Sequence, residues 1–286
     1  MPLPTIAFSS WAFPGEPVDR GIDHALRHGF RALEIALLDP ALFDGLLPSD
    51  DQARAVAART ADLRLSVHAP IDQICLADPD PEIRAASADC LRRTIAAAHH
   101  MGARVVVFHL IRGTRDELPL SADESGRAFA ADLIRPLGEE AAAAGVTLAV
   151  ENIGISSRAA DRDYTGLCDL VDTIGLDNVG IALDIGHAHV HDHNGGGLAA
   201  AAGLFGSRVC HYHVHDNDGT ADQHLRVGGG TVDYAPLLDR WQTDFSGILA
   251  MEIFPFVETD LKEAISASQS ALTELLTGPV GRPTVG

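Results

Sequence analysis

Short apolar runs rich in Val, Ile and Leu alternate with longer amphipathic segments from one end of the chain to the other, and this alternation constrains the fold most. The runs lie at residues 6–9, 32–36, 65–69, 105–110, 147–152, 180–184, 209–215 and 248–253. Between them, residues 18–28, 51–63, 83–101, 125–144 and 261–276 carry helical periodicity, with Gly29, Gly102 and Gly145 where a helix turns back into a strand. Near-continuous apolar strands, each followed by a helix, predict a parallel sheet covered by helices. Eight such units in 286 residues predict an α/β fold, a (β/α)8 TIM barrel forming a single domain over residues 1–286. An open doubly wound sheet is the alternative, but no strand leads into the Gly-x-Gly-x-x-Gly turn that a dinucleotide needs. Residues 228–230, all Gly, follow a His-rich loop rather than opening a helix, so no phosphate role is assigned to them.

The 46% hydrophobic content suffices for a sizeable core, and no low-complexity stretch divides the chain. The N-terminus runs into an apolar strand with no basic segment and signal-peptide core ahead of it, and no apolar run reaches bilayer length. A soluble, cytoplasmic protein with no membrane partner is expected. Cys75, Cys90, Cys168 and Cys210 lack Cys-x-x-Cys spacing and are read as reduced, mostly buried thiols. A formal charge of −19, with Lys262 the sole lysine, opposes a phosphate backbone and argues against a nucleic-acid partner.

The chemistry is concentrated at the strand ends. The third run ends in Ser66-Val67-His68-Ala69-Pro70, the fourth in Val107-Phe108-His109 and the fifth in Val150-Glu151-Asn152. The sixth ends in Leu183-Asp184-Ile185-Gly186-His187, the seventh in His211-Tyr212-His213-Val214-His215-Asp216-Asn217, and the eighth in Met251-Glu252-Ile253. Six consecutive strands thus deliver His, Asp or Glu to the rim where parallel barrels carry their active sites. One such His is more often a hydrogen-bonded structural residue. Together, buried carboxylates at Glu151, Asp184 and Glu252 need a cation. Imidazoles and carboxylates without thiolates suit Zn, Mn, Fe or Co. Asp222 and His224, two apart on one side of an extended loop, add a second layer, and Asp184 and His187 can reach the same or neighbouring ions.

The ordered set His68-Ala-Pro, His109, Glu151-Asn152, Asp184-x-x-His187, His213-x-x-Asp216, Asp222-x-His224 followed by Gly228-x-Gly230, and Glu252 resembles the xylose isomerase-like superfamily of TIM barrels. That superfamily includes sugar isomerases, ketose 3-epimerases, inosose dehydratases and endonuclease IV. The resemblance implies that Glu151, Asp184, His213 and Glu252 hold one metal. It further implies that His68 and His109 hold an endonuclease-type ion bridged by Glu151, and that His187, Asp222 and His224 hold a third. One to three divalent ions per chain follow. His211 and His215 flank His213 on its face and are read as buried hydrogen-bonded or outer-sphere residues. His189, His191 and His193 are read as a loop lining the substrate mouth, and Trp11 and Phe13 as an apolar wall for a sugar ring or as rim packing.

The leading expectation is a divalent-metal-dependent isomerase or epimerase of a small sugar, polyol or hydroxy-ketone, acting through an enediolate. Glu151 and Glu252 would act as base and acid on two faces of the substrate carbon, with His187 polarising a substrate oxygen. A dehydratase or other lyase would need the same enolate. Two alternatives are an endonuclease IV-like phosphodiesterase on abasic DNA and a non-catalytic metal- or ligand-binding barrel. The partner expected is a small carbohydrate-like substrate, with a homo-oligomer left open.

Overall fold

Eight parallel strands form one sheet: β1 (Thr5–Phe8), β2 (Ala32–Ala36), β3 (Arg64–His68), β4 (Val105–Phe108), β5 (Thr147–Glu151), β6 (Val179–Asp184), β7 (Val209–Val214) and β8 (Ile248–Met251). Their order is β1-β8-β7-β6-β5-β4-β3-β2, and a parallel bridge between Ser9 and Glu34 brings the two edge strands together, so the sheet curls into a (β/α)8 TIM barrel. The computed structural model describes residues 2–38, 40–43, 45–78, 80–110, 124–153, 164–190, 197–255, 257 and 260–279.

Helices α1 (Val18–Arg27), α2 (Asp50–Arg59), α3 (Pro81–Met101), α4 (Glu124–Ala143), α5 (Tyr164–Ile174), α6 (Ile185–Val190), α7 (Leu198–Phe205), α8 (Ala235–Thr243) and α9 (Leu261–Thr277) connect the strands or follow the last of them. Their limits follow local chemistry. In α2 a capping box joins Ser49 to Gln52, and in α3 the Asp80 carboxylate caps the N-terminus just before Pro81. Gly102 ends α3 in the left-handed conformation (φ 79°) that a side chain would strain. The segment read as helical to residue 63 stops at Arg59, where the C-cap Thr60 leaves helical dihedrals (φ −111°, ψ 21°). Among the described residues no helix is long and apolar enough to cross a membrane.

Alternate strand residues face helices or barrel interior. The outward set, including Phe8, Leu33, Ile35, Leu65, Phe108, Leu148, Ile181 and Leu249, joins the helices in one large apolar core. The inward set is small where the barrel is narrow: Ala7, Ala32 and Ala250 on one side, Val107, Ala149 and Ala182 on another. Small interior residues leave room for the polar side chains above them.

One irregularity sets the site. Between β6 and β7 the register runs Ile181 to Val209 and then Ala182 to His211, so β7 carries one extra residue. In an unbroken ladder Asp184 would face Tyr212, and the histidines of β7 would point into the helical layer. The bulge instead makes Asp184 and His213 register partners and turns His211 and His213 inward, because a one-residue slip exchanges the faces of a strand.

Candidate metal centre

The strands stop slightly earlier than the apolar runs, so His109, Asn152, His215 and Glu252 lie just beyond their ends. All nine candidate ligands are nevertheless carried to the same mouth. They fall into three main groups whose donor atoms lie within 4.8 Å of one another: His68, His109 and Glu151; Glu151, Asp184, His213 and Glu252; and His187, Asp222 and His224, joined by His215; two further sets at the same spacing overlap these, His68 with His213 and Glu252, and Glu34 with His211 and His213. Glu151 belongs to the first two.

Hydrogen bonds orient these rings. The Nδ1–H of His68 donates to the Ala69 carbonyl (2.8 Å), that of His187 to the Asn152 carbonyl (2.8 Å) and that of His224 to the Glu252 carbonyl (2.9 Å). A carbonyl only accepts, so each Nδ1 holds a proton and each Nε2 is left to face a carboxylate. His68 Nε2 lies 3.1 Å from Glu151 Oε2, and His109 Nε2 lies 2.8 Å from the same oxygen. His187 and His224 direct Nε2 at Asp222 Oδ2, at 3.3 and 3.1 Å. His213 Nδ1 lies 3.1 Å from Glu151 Oε1, 3.6 Å from Glu252 Oε2 and 3.8 Å from Asp184 Oδ2.

The donor set suits divalent cations. Asp184 Oδ2, Glu252 Oε1 and Asp222 Oδ1 are buried and have no hydrogen-bond partner among the described residues. Leaving such oxygens unsatisfied is costly, and a cation satisfies several at once. Imidazoles and carboxylates share protons across these contacts, and a cation can take the place of those protons.

A family model for the xylose isomerase-like TIM barrel matches residues 22–275. The chain belongs to this family. Among its relatives, the L-ribulose 3-epimerase of Mesorhizobium japonicum is 28% identical over 230 residues, which cover 78% of this chain and 70% of that protein. The probable endonuclease 4 of Mycobacterium bovis is 27% identical over 209 residues, covering 72% and 78%. The solved structure of the IOLI protein with a bound zinc atom superposes with a TM-score of 0.76 at 17% identity, covering 96% of this chain and 98% of that one.

In this xylose isomerase-like barrel the two glutamates differ. Burial raises the Glu151 carboxyl, but facing His213 and His109 outweigh it and hold the group well below the ordinary range. Burial pushes Glu252 up to about 7, with Glu151 and Glu34 adding to the rise and His213 and His224 opposing it. His187 is held well above its ordinary value, since Asp184 and Asp222 outweigh its burial. Glu252, Glu34 and Glu151 act likewise on His213. His109 is lowered, burial outweighing the pull of Glu151.

Neighbouring residues hold the segments that carry the candidate ligands. Asn152 clamps β5 to β6 by accepting from the Asp184 N–H (2.8 Å) and donating to the Asp184 carbonyl (3.0 Å). The Asp216 carboxylate accepts the N–H groups of Asn217, Gly228 and Val232, tying down both ends of the loop that carries Asp222 and His224. His224 has φ 49° and is the one non-glycine at positive φ among the described residues. Its ring stacks between His215 (3.8 Å) and Phe254 (3.7 Å).

Trp11 packs edge-on to Phe254 near His224 (4.5 and 6.2 Å), which leaves it at the mouth. Phe13 instead packs in the core against Phe8 and His24, so its role is packing. His211 and His215 are buried and bonded to carboxylates, Glu34 and Asp184 respectively. His189 bonds Thr231 Oγ1 (2.9 Å), while His191 and His193 lie outside the described residues. Glu34, the partner of His211, was not among the sequence candidates.

Gly186 allows the His215 ring its place, since a Cβ there would lie 1.9 Å from the ring. Gly186→Ala is therefore expected to lower stability by about 1–3 kcal/mol through overpacking, read by urea denaturation. An unchanged midpoint would mean that the ring moves aside freely.

Proposed function

We propose that the chain is a divalent-metal-dependent isomerase or epimerase of a small ketose-like sugar or hydroxy-ketone. The observation that carries this reading is the buried Glu151, Asp184, His213 and Glu252 group, with unpartnered carboxylate oxygens at the mouth of a xylose isomerase-like barrel. Its relation to an L-ribulose 3-epimerase supports a ketose, and the zinc atom in the IOLI protein supports a metal.

Those four residues would hold the catalytic ion, whose charge would stabilise an enediolate formed beside the substrate carbonyl. Glu252 and Glu151 would carry the proton between the carbon and solvent or between the two faces of the carbon. His187, held by Asn152 and directed at Asp222, would donate a hydrogen bond to a substrate oxygen. Zn, Mn, Fe and Co all match the ligand types.

The endonuclease reading also has support, in the histidine-rich first and third groups and in the relation to a probable endonuclease 4. The net charge of −19 weighs against it, because a phosphate backbone is held by releasing counterions to cationic side chains.

Purified protein is expected to hold at least one divalent ion per chain by elemental analysis and, with a ketose panel in D2O, to exchange the proton beside the carbonyl and form the epimer. Fluorescence anisotropy with an abasic duplex at physiological salt is expected to detect no binding. Incision of that duplex without exchange on the panel would reverse the ranking. Tight metal retention without either activity would favour a non-catalytic binding barrel.

A further inference from the structure

Glu34 lies midway along β2, pointing into the barrel with no solvent exposure. Its register partner is Ser66, whereas Ala36, two residues on, partners His68. Glu34 therefore sits one interior layer beneath the first ligand group. Burying a carboxylate in such a place is costly unless it is bonded. Three donors converge on one of its oxygens: Ser66 Oγ at 3.1 Å, His211 Nε2 at 3.0 Å and His213 Nε2 at 3.3 Å from Oε2.

The His213 ring therefore links two layers. Its Nε2 meets Glu34 below, and its Nδ1 meets Glu151, Glu252 and Asp184 above. We propose that Glu34 is a positioning residue that accepts the Nε2–H of His213 and so turns the Nδ1 lone pair of that ring toward the rim carboxylates. The inference rests on the metal-centre reading above and adds to it the device that fixes the tautomer of one ligand. His68, His187 and His224 have their tautomers set by backbone carbonyls, but His213, in the middle of the mouth, has none within reach of Nε2 among the described contacts. A side-chain acceptor on the neighbouring layer serves in its place. Ser66 and His211 hold that acceptor in turn, and the β7 bulge is what brings His211 and His213 to it together. Carboxylate partners of metal-binding histidines fix ring orientation and raise ligand basicity in this way.

The test uses protein labelled with 15N-histidine, with the His213 ring assigned by comparison with His213→Asn. Zinc-loaded wild type is expected to show a protonated Nε2 and an unprotonated Nδ1 at His213. Glu34→Gln is expected to weaken Zn2+ binding by about 10–100-fold in chelator competition, with the His213 signals shifted. Ser66→Ala, which removes only one bond to the same oxygen, is expected to give a smaller loss in the same direction. A Glu34→Gln protein with wild-type zinc affinity and unaltered ring nitrogens would overturn the proposal while leaving the metal centre intact. Should that variant fail to fold, the wild-type spectrum decides, since a proton on Nδ1 of the zinc-loaded ring would exclude the assigned role. Wild-type protein that takes up no zinc would instead sink the metal-centre reading and, with it, the role assigned to Glu34.

Discussion

In metal-loaded protein, Glu252→Gln is expected to slow proton exchange at the substrate carbon by about 10²–10⁴-fold, the usual worth of a positioned acid–base group. The two candidate proton carriers are not equivalent. Glu151 has both oxygens engaged, Oε1 with His213 and Oε2 with His68 and His109. Glu252 Oε1 has no hydrogen-bond partner among the described residues. With one oxygen of Glu252 on the ion, the other has no hydrogen-bond donor to hold it and can meet a substrate proton. Gln at position 252 keeps the size and one ligating oxygen but removes the base. Gln at position 151 would place an amide N–H₂ or a weaker acceptor against several imidazoles, so it is expected to lose metal as well as rate. Deuterium incorporation from solvent, measured beside elemental analysis of the same samples, separates the two effects. A fully loaded Glu252→Gln protein exchanging at the wild-type rate would move the base elsewhere.

The features legible in the sequence were those set by period and position. Alternating apolar runs specify strands, and the residues following them occupy the carboxyl-terminal rim, so His68, His109, Glu151, Asp184, His213 and Glu252 could be grouped from their places in the chain. What stayed hidden depends on contacts between strands. Glu34 lies within the short run Ala32–Ala36, where an apolar pattern draws attention away from one acidic residue. The signal was present, since a carboxylate inside a strand buried on both faces has to be paired with something. Its partner His211 is far along the chain and faces inward only because of the β7 bulge, which no periodicity in Val209–Val214 announces. Phe13 was open between wall and packing, because nearness to a strand end does not tell a mouth residue from one packed behind it, and the structure shows packing.

In metal-free protein, the stability of Glu252→Gln relative to wild type is expected to rise with pH, by on the order of 2–3 kcal/mol between about pH 4.5 and 6.5. The direction follows from proton counts. Burial raises the folded-state carboxyl from 4.5 to about 7, with Glu151 and Glu34 adding repulsion and His213 and His224 opposing it. Below 4.5 both folded and unfolded chains carry the proton, and the stabilising effect of that proton is fully present. As pH rises, the unfolded chain releases it first, so wild-type stability falls until the folded carboxyl also ionises near 7. Gln cannot titrate, and whatever its amide contributes is independent of pH. Below pH 6.5 histidines of the unfolded chain remain largely protonated, which keeps the change assignable to position 252. Divalent metal should reverse the preference, because the ion binds the ionised carboxylate, and a 100-fold excess over Kd adds about 2.7 kcal/mol to the folded state. Urea denaturation at several pH values, with chelator and then with added zinc, reads both effects. If the difference between variant and wild type stays flat across this range in chelator, Glu252 is ionised in the folded protein throughout and cannot act as the neutral-range proton donor.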